Sequence, residues 1–280
     1  MNVSASASRE AEELPMAPET KSGTVLDRII EARRAAIAHR KKSVPETALR
    51  FGVKHALALR DFPGALTRDS LNVIAELKKA SPSRGLIRAD FDPVTLAKSL
   101  EAAGAAALSV LTEEEYFQGD LKHMRDARAA TAVPVLRKDF IVDPWQVWEA
   151  RATNADSFLL IVAALGDAAL AELLALGREL GMEPLVEVHT REELARALAA
   201  GARIIGVNNR NLKTLEVRIE TSAELVAVIP DDCIAVCESG LRTHQDLVRL
   251  RAAGFDAFLI GEYLMAQSDP AGALTSLLGS

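Results

Sequence analysis

The stretch VIAELKKASPSRG, residues Val73–Gly85, carries the features from which the fold can be inferred. It begins as an apolar strand, yet Glu76 and Lys78 lie two residues apart, so both side chains leave the same face of that strand. Burying a carboxylate and an ammonium costs several kcal/mol each unless they are paired or used. Ser81 and Gly85 belong to a loop of small residues whose backbone N–H groups can approach an anion. A charged strand end followed by such a loop is what an active-site floor needs.

The size and charge of the chain limit what it can be. It has 280 residues, of which 49% are hydrophobic and 26% are charged. Two domains would fit this length, but α/β barrels of about 250 residues are single domains, and we expect one domain over residues 23–280. The formal net charge of −6 argues against a nucleic-acid-binding or membrane-surface protein, although it leaves room for a small positive site.

Other features of the sequence favour a cytoplasmic protein. No apolar run approaches the roughly 20 residues of a membrane span. Residues 1–22 lack the apolar core of a secretion signal, and their Ala, Ser, Glu and Pro content predicts a disordered tail. On one strand, Cys233 and Cys237 would lie about 13 Å apart, beyond the roughly 7 Å that a disulfide allows, which predicts reduced thiols. The histidines show no metal-ligand spacing, so we expect no metal.

Apolar runs recur along the chain at intervals of roughly 20–35 residues, the length of one strand-plus-helix unit. The predicted strands are Val73–Lys78, Ala106–Thr112, Val133–Lys138, Asp156–Ala163, Pro184–Val188, Arg203–Asn208, Cys233–Ser239 and Asp256–Gly261. Such strands separated by amphipathic helices predict a closed parallel (β/α)8 barrel, a TIM barrel. An open doubly wound sheet is the alternative, but it favours a Gly-x-Gly-x-x-Gly turn that the sequence lacks after its first strand.

Helix signals agree with this alternation. Asp92-Pro93 and Asp143-Pro144 each place an N-cap before a proline, and Thr190 with Glu193 predicts a capping box. Before the first strand, Thr24–Lys42 and a shorter segment between Pro45 and Leu59 predict helices, which form an N-terminal helical extension over residues 24–60. This extension either only packs against the barrel or also covers one end of it.

Polar residues cluster where the predicted strands end, which is where a barrel of this kind carries its chemistry. They are Glu76, Lys78, Lys138, Glu187, Asn208, Arg210, Glu238 and Ser239. Simpler interpretations remain open: Glu76 and Lys78 as a structural ion pair, Lys138 as a surface residue, and Asn208 and Arg210 as loop residues that cap the strand. The run Glu113–Glu115 is most simply a solvated turn.

The last two strands end in small residues that suit an anion. Ser239-Gly240 follows the seventh strand, and Gly261-Glu262 follows the eighth. Loops after strands seven and eight form the usual phosphate site of this fold, because glycine lets backbone N–H groups come close. Ser81 from the first loop could complete the site.

Motifs spread in order over the chain, from about Thr24 to its end, together resemble one known family. They are IAELKKASPSRG, LSVLTEEEYFQGD, VPVLRKDFIVDPWQV, LLIVAAL, MEPLVEVHT, IIGVNNRNLKTLEV, ESGL and FLIGEYLM. The family is indole-3-glycerol phosphate synthase, a carboxy-lyase of tryptophan biosynthesis. The resemblance implies a (β/α)8 barrel with an N-terminal helical extension. It also implies ring closure of 1-(2-carboxyphenylamino)-1-deoxyribulose 5-phosphate, with loss of carbon dioxide and water, to indole-3-glycerol phosphate, with no cofactor.

Residue by residue, the resemblance implies roles for the strand ends. Lys138 is similar to the family's general acid, and Glu187 to its partner acid/base in dehydration. Lys78 is similar to the lysine that holds the anthranilate carboxylate, with Glu76 as its neighbour. The other implied contacts are Asn208 with a substrate hydroxyl, supported by Arg210; Phe117, Phe140, Leu159 and Leu212 with the aromatic ring; and Ser81, Ser239, Gly240, Gly261 and Glu262 with phosphate, the last through its backbone.

The implied acid role carries an expectation about pKa. A free lysine titrates near about 10.4, so we expect Phe140 and Lys78 to lower the pKa of Lys138. Two positions depart from the family: Ala80 stands where some members have a lysine near the phosphate, and Glu262 where others have a serine.

Two other functions remain as alternatives: another phosphate-binding barrel enzyme, such as a phosphoribosyl isomerase, and a non-catalytic barrel that only binds a sugar phosphate. The lysine pair with Glu187, and the extension, count against the isomerase. In each case the partner would be a small phosphorylated molecule. The sequence leaves the oligomeric state open, and we expect a monomer or a weak homo-oligomer.

Overall fold

The protein is described here by a computed structural model that covers residues 23–211 and 216–279. Within these ranges, eight parallel strands close into a barrel in chain order, with β8 pairing with β1. The strands are β1 Asn72–Leu77, β2 Ala107–Leu111, β3 Val135–Lys138, β4 Ser157–Ile161, β5 Leu185–Val188, β6 Ile204–Asn208, β7 Ile234–Glu238 and β8 Ala257–Ile260. The predicted (β/α)8 barrel is confirmed. The predicted tail, residues 1–22, lies outside the described residues.

The strands are apolar on both faces because each face is covered. Outward side chains such as Val73 and Val135 pack under the helices, and inward ones such as Ile74 and Leu136 fill the barrel. Since alternate residues share a face, the residue two positions after each inward apolar side chain also points inward. Glu76 lies two residues after Ile74, and Lys138 lies two residues after Leu136. The strand pattern itself therefore aims the charged ends into the barrel mouth.

Helices follow the strands and cover the outer face of the barrel. They are α4 Pro93–Ala102, α5 Leu121–Ala130, α6 Pro144–Ala152, α7 Asp167–Glu179, α8 Arg191–Ala199, α9 Glu220–Val226, α10 His244–Ala252, α11 Glu262–Met265 and α12 Pro270–Leu278. Before β1 lie α1 Val25–Ser43 and α2 Glu46–Lys54, as predicted. A short helix, α3 Phe62–Leu66, also precedes β1 and packs Phe62 and Leu66 against the side chains that fill the barrel. Among the described helices, none combines the length and the apolar character that a membrane crossing requires.

Several helix starts form as predicted, and one differs. Asp92 and Asp143 accept backbone N–H groups at the first turns of α4 and α6. At α8, Thr190 Oγ1 accepts the N–H of Glu193 at 3.2 Å. Glu193 does not return this bond to Thr190, because its Oε2 instead accepts the backbone N–H of His189 at 2.7 Å. The predicted capping box is therefore wrong in its second half.

Helix α1 is attached to the barrel through charged side chains. Arg33 of α1 is buried and pairs with Asp139, directly after β3. Arg40 pairs with Glu149 of α6, and Lys41 pairs with Asp143. The extension is thus tied to the strand that carries Lys138.

Candidate active site

A large cavity of about 850 Å³ opens at the carboxyl end of the barrel. It is lined by every predicted site residue within the described ranges, namely Glu76, Lys78, Ser81, Phe117, Lys138, Phe140, Leu159, Glu187, Asn208, Arg210, Ser239, Gly240, Gly261 and Glu262. Leu212 lies outside the described residues. Val25, Leu26 and Ile29 of α1 also line the cavity. The N-terminal extension therefore packs against the barrel and also forms part of the cavity wall.

Lys138 lies at the centre of the cavity floor, among carboxylates. Its Nζ is 3.6 Å from Glu187 Oε2 and 3.7 Å from both Glu76 Oε2 and Glu238 Oε2. Lys78 Nζ lies 2.7 Å from Glu76 Oε1. The two lysine side chains are each 15% exposed, whereas the three carboxylates are almost fully buried. Groups from different strands thus share one set of ionic contacts that faces the cavity.

The expected lowering of the Lys138 pKa is wrong. Burial disfavours the ammonium, but Glu76, Glu187 and Glu238 outweigh that cost and raise the pKa of Lys138 above its ordinary value. The prediction considered the apolar ring of Phe140 and the charge of Lys78, and it overlooked how closely the carboxylates from β1, β5 and β7 approach. Lys138 is therefore fully protonated at neutral pH.

The carboxylates around Lys138 differ from one another. Burial raises the pKa of Glu187, but the cations Lys138 and His189 outweigh it and hold that pKa well below the ordinary value. Burial and the nearby Glu187 charge raise the pKa of Glu238. Among the described residues, Glu238 Oε1 has no hydrogen-bond partner. A buried pair of carboxyl groups with pKa values displaced in opposite directions is typical of acid/base sites.

Two glycines provide the space that these carboxylates occupy. A Cβ on Gly206 would lie 2.2 Å from Glu238 Oε1, and a Cβ on Gly261 would lie 2.3 Å from Glu76 Oε1. Any larger residue would push these side chains away from Lys138. Gly261, predicted as a phosphate contact, thus has a structural reason of its own to be glycine.

Small and basic residues also line the cavity in the loops that follow β1, β6 and β7. Ser239 and Gly240 have φ values of 66° and 85°, a left-handed turn that is rare for serine. Ser239 Oγ donates to Asn208 Oδ1 at 2.8 Å, which ties the ends of β6 and β7 together. Arg210 Nη2 lies 3.0 Å from Glu262 Oε2, and Arg84 Nε lies 3.6 Å from Glu262 Oε1.

An apolar wall joins the two ends of the cavity. The rings of Phe117 and Phe140 lie with centroids 5.9 Å apart, and Leu159 is 2% exposed beside them. The loop that carries Phe117 is held by Glu113, whose carboxylate accepts the backbone N–H groups of Glu115, Tyr116 and Phe117. Glu113 is 3% exposed, so the prediction of a solvated turn over Glu113–Glu115 is wrong at its first residue.

Some residues of the site had no role in the sequence analysis. Glu238 was predicted to lie at a strand end, but no chemical role was predicted for it. Its pairing with Lys138 depends on the register of β7. Arg84 lies in the quoted first stretch, and only the fold brings it to Glu262. His189 lies two residues after Glu187, so alternation places both side chains on one face, and this spacing is the signal from which their contact could have been predicted.

This arrangement can hold an anion at each end of a flat apolar ligand and move protons between them. In the part of the chain that is described, no group of His, Cys, Asp or Glu side chains is arranged to hold a metal ion. Both cysteines are free thiols.

Solved structures share the fold at low sequence identity. A crystal structure of KGPDC from Streptococcus mutans matches with a TM-score of 0.59 and 14% identity, covering 75% of this chain and 96% of that one. A 3-hexulose-6-phosphate synthase structure matches with a TM-score of 0.57 and 15% identity, covering 75% and 99%. These likenesses support the barrel alone.

The sequence comparisons are far more specific. A family model described as indole-3-glycerol phosphate synthase matches residues 26–277. The indole-3-glycerol phosphate synthase of Laribacter hongkongensis is 48% identical over 258 residues, covering 90% of this chain and 98% of the relative. That of Rhodospirillum rubrum is 49% identical over 260 residues, covering 91% and 99%. With its barrel, its extension and its charged cavity floor, the chain belongs to the indole-3-glycerol phosphate synthase family.

Proposed function

We propose that the cavity closes the indole ring of 1-(2-carboxyphenylamino)-1-deoxyribulose 5-phosphate with Lys138 as general acid and Glu187 as the acid/base of dehydration. The observation that carries this proposal is the position of Lys138 Nζ, 3.6 Å from Glu187 in the cavity at the carboxyl end of the barrel. In the reaction an aromatic carbon attacks the ribulose carbonyl, carbon dioxide leaves, and a hydroxyl group then departs as water. Ring closure and dehydration each need a proton donor or acceptor within reach of the reacting atoms, whereas the carboxylate leaves as carbon dioxide without a proton transfer.

The raised pKa of Lys138 is compatible with an acid role. At neutral pH every molecule carries the proton, and the ammonium polarises the carbonyl within a poorly solvated site. As the new carbon–carbon bond forms, the carbonyl oxygen becomes an alkoxide, which is a far stronger base than a lysine amine. Proton transfer from Lys138 is then favourable despite the carboxylates nearby.

We assign the anthranilate carboxylate of the substrate to Lys78. This ammonium is 2.7 Å from Glu76 and 15% exposed, so it can hold a second carboxylate at the cavity edge while Glu76 fixes its position. Phe117, Phe140 and Leu159 form an apolar slot for the aromatic ring. Leu212 is proposed for this slot on the family resemblance alone.

The sugar phosphate end is assigned to the opposite side of the cavity. Ser81 offers a hydroxyl donor there, and Ser239, Gly240, Gly261 and Glu262 offer backbone N–H groups. Asn208 is proposed to orient a substrate hydroxyl. It already accepts from Ser239 Oγ and from the backbone N–H of Arg210, which fixes the direction of its amide.

The reaction exchanges no electrons with an external acceptor, and its proton transfers lie within reach of Lys138 and Glu187. We therefore propose that it needs no cofactor or metal. Dialysis against EDTA should leave the turnover of the purified protein unchanged, and a loss restored by one divalent cation would contradict the proposal.

We also propose that the protein works in the cytoplasm as a monomer or weak homo-oligomer. Light scattering on the purified protein tests the oligomeric state.

The experiment that tests the proposed function follows the fluorescence of the indole product formed from the carboxyphenylamino ribulose phosphate. We expect turnover by the purified chain. Binding of the substrate without turnover would favour a sugar-phosphate-binding barrel instead.

Replacing Glu262 with glutamine should lower KM for the substrate about three- to tenfold, with kcat changed less. The Glu262 carboxylate pairs with Arg210 and Arg84 beside the proposed phosphate position, so it repels the phosphate and competes for both cations. The expected change corresponds to about 1 kcal/mol in binding. Steady-state kinetics of Glu262→Gln and of Glu220→Gln, at an exposed glutamate on the cavity rim, measure it. A KM raised by Glu262→Gln would mean that the pairing organises the phosphate site.

A further inference from the structure

His189 lies behind the cavity wall, between two carboxylates. Its Nε2 is 3.4 Å from Glu187 Oε1, and its Nδ1 is 3.1 Å from Glu193 Oε2 on α8. The ring is 11% exposed and lies on the far side of Glu187 from Lys138. Among the described residues, the buried Nε2 has no regular hydrogen-bond partner, so its contact with Glu187 is an ion pair.

The contacts of the ring determine its charge. A neutral imidazole has one N–H and one lone pair, so with a carboxylate oxygen at each nitrogen, one contact would set a lone pair against an oxygen. Only the imidazolium carries an N–H at both nitrogens, one in the hydrogen bond to Glu193 and the other facing the Glu187 carboxylate as its ion-pair partner. Glu193 is fixed in turn, because its Oε2 also accepts the backbone N–H of His189. The half-formed capping box at the start of α8 therefore serves to hold this ring.

We propose that His189 is a positioning residue for the reaction: a permanent imidazolium, anchored by Glu193, that keeps Glu187 in its carboxylate form and fixes the direction of that carboxylate. This inference rests on the proposed role of Glu187 and extends it. It makes Glu187 begin dehydration as a base, which takes up a proton before it gives one to the departing hydroxyl group. His189 itself touches no substrate.

The surrounding charges agree with this assignment. Burial lowers the pKa of His189, but Glu187 on its own strand and Glu193 on α8 outweigh burial and raise it to about 10. From the other side, Glu187 faces Lys138 of β3 and Asn208 of β6. Glu238 of β7 also feels the His189 charge, which opposes the rise in the pKa of that carboxyl group.

The sign of the expected pH effect follows from these contacts. His189 lowers the pKa of Glu187, so removing the cation lets that pKa rise toward its ordinary value of about 4.3 or beyond it, since burial also raises it. Glu187 would then become protonated at a higher pH. The acidic limb of kcat/KM should move upward by about one to two pH units, the range expected for one nearby opposite charge.

The first test compares His189→Gln and His189→Lys with the wild type over the full pH range. His189→Gln keeps an amide donor but loses the charge, and its acidic limb should shift upward. His189→Lys restores a cation, and its limb should return toward that of the wild type. His123→Gln, at a half-buried histidine whose ring packs at a tilt against Phe91 outside the cavity, is the matched control and should leave the profile unchanged. The ionisable groups of the substrate titrate in the same way in the assay of each protein, so they cause no difference between the pH profiles.

The second test needs no variant. Nitrogen NMR of histidine-labelled wild-type protein should show both ring nitrogens of His189 protonated at pH 7.5, and the ring should titrate near pH 10. A neutral ring at pH 7.5, or superimposable pH profiles for the wild type and His189→Gln, would overturn the proposal. Full turnover by Glu187→Gln would instead overturn the proposed role of Glu187, while leaving the reading of the His189 charge intact.

Discussion

Replacing Lys138 with methionine should lower kcat by about 10²–10⁴-fold, the usual contribution of a general acid. The change removes the proton donor and keeps most of the side-chain volume. It also leaves the carboxylates of Glu76, Glu187 and Glu238 without the cation that they share. KM should change less than kcat, because Lys78 and the phosphate end of the cavity still hold the substrate. Product fluorescence under saturating substrate measures the effect.

The control for this variant is Lys79→Met. Lys79 lies next to Lys78 but, unlike it, does not line the cavity, and its charge acts on His123 instead. Its turnover should stay within about threefold of the wild type. If Lys138→Met also stays within that range, Lys138 is a structural partner of the carboxylates, and the acid must be sought elsewhere in the cavity.

Glu187→Gln should lower indole formation by a similar factor, at a different step. Lys138 is assigned to ring closure, which precedes loss of carbon dioxide, whereas Glu187 is assigned to the dehydration that follows it. A single turnover by Glu187→Gln should therefore release carbon dioxide faster than it forms indole, whereas Lys138→Met should slow both equally. Equal slowing of both products by Glu187→Gln would reject the assignment to dehydration.

The sequence contains enough information to predict the barrel and the residues that meet at its mouth. Strand ends such as Glu76, Lys138 and Glu187 follow buried apolar runs, and alternation fixes the face from which each side chain leaves. In a closed parallel barrel those faces converge, so one cavity follows from the pattern alone. The predicted helix starts at Asp92 and Asp143 are local signals, which explains why they could be read residue by residue.

The properties that could not be predicted depend on distances between strands. The pKa of Lys138 depends on how close Glu238 and Glu187 come to it, and a one-dimensional pattern contains no such distance. Glu113 could not be distinguished from its solvated neighbour Glu114, because its three backbone donors are supplied by a loop that the pattern does not describe. His189 is a similar case, since a capping motif predicted the wrong partner for Glu193.

A network of buried charged side chains lies behind Lys138, and we expect its disruption to have a large effect on stability. Arg137 precedes Lys138 on β3 and, by alternation, points outward toward α6, with 0% of its side chain exposed. Its Nη2 lies 2.9 Å from Asp139 Oδ2 and 2.8 Å from Glu149 Oε2, and its Nε donates to Thr112. These carboxylates also bind Arg33 and Arg40 of α1. The network therefore joins β3, which carries Lys138, to α6 behind it and to α1 of the N-terminal extension.

Replacing Arg137 with methionine should reduce the free energy of unfolding by about 3–5 kcal/mol, because it leaves two buried carboxylates without a cation that both share. That is a large part of the roughly 5–15 kcal/mol that holds a folded domain together. Urea unfolding, followed by circular dichroism, measures the change. Lys122→Met removes an exposed pair with Asp126 within one helix and should cost less than about 1 kcal/mol.

A double variant separates an unpaired charge from lost packing. If the cost arises from the uncompensated carboxylates, Arg137→Met combined with Glu149→Gln should lose less stability than the sum of the two single changes, because the glutamine carries no charge to leave unpaired. Additive losses would assign the cost to packing around the guanidinium instead. An Arg137→Met variant as stable as Lys122→Met would mean that Arg33 and Arg40 alone hold the buried carboxylates. In that case α1, rather than β3, would be the element that keeps Asp139 beside the acid.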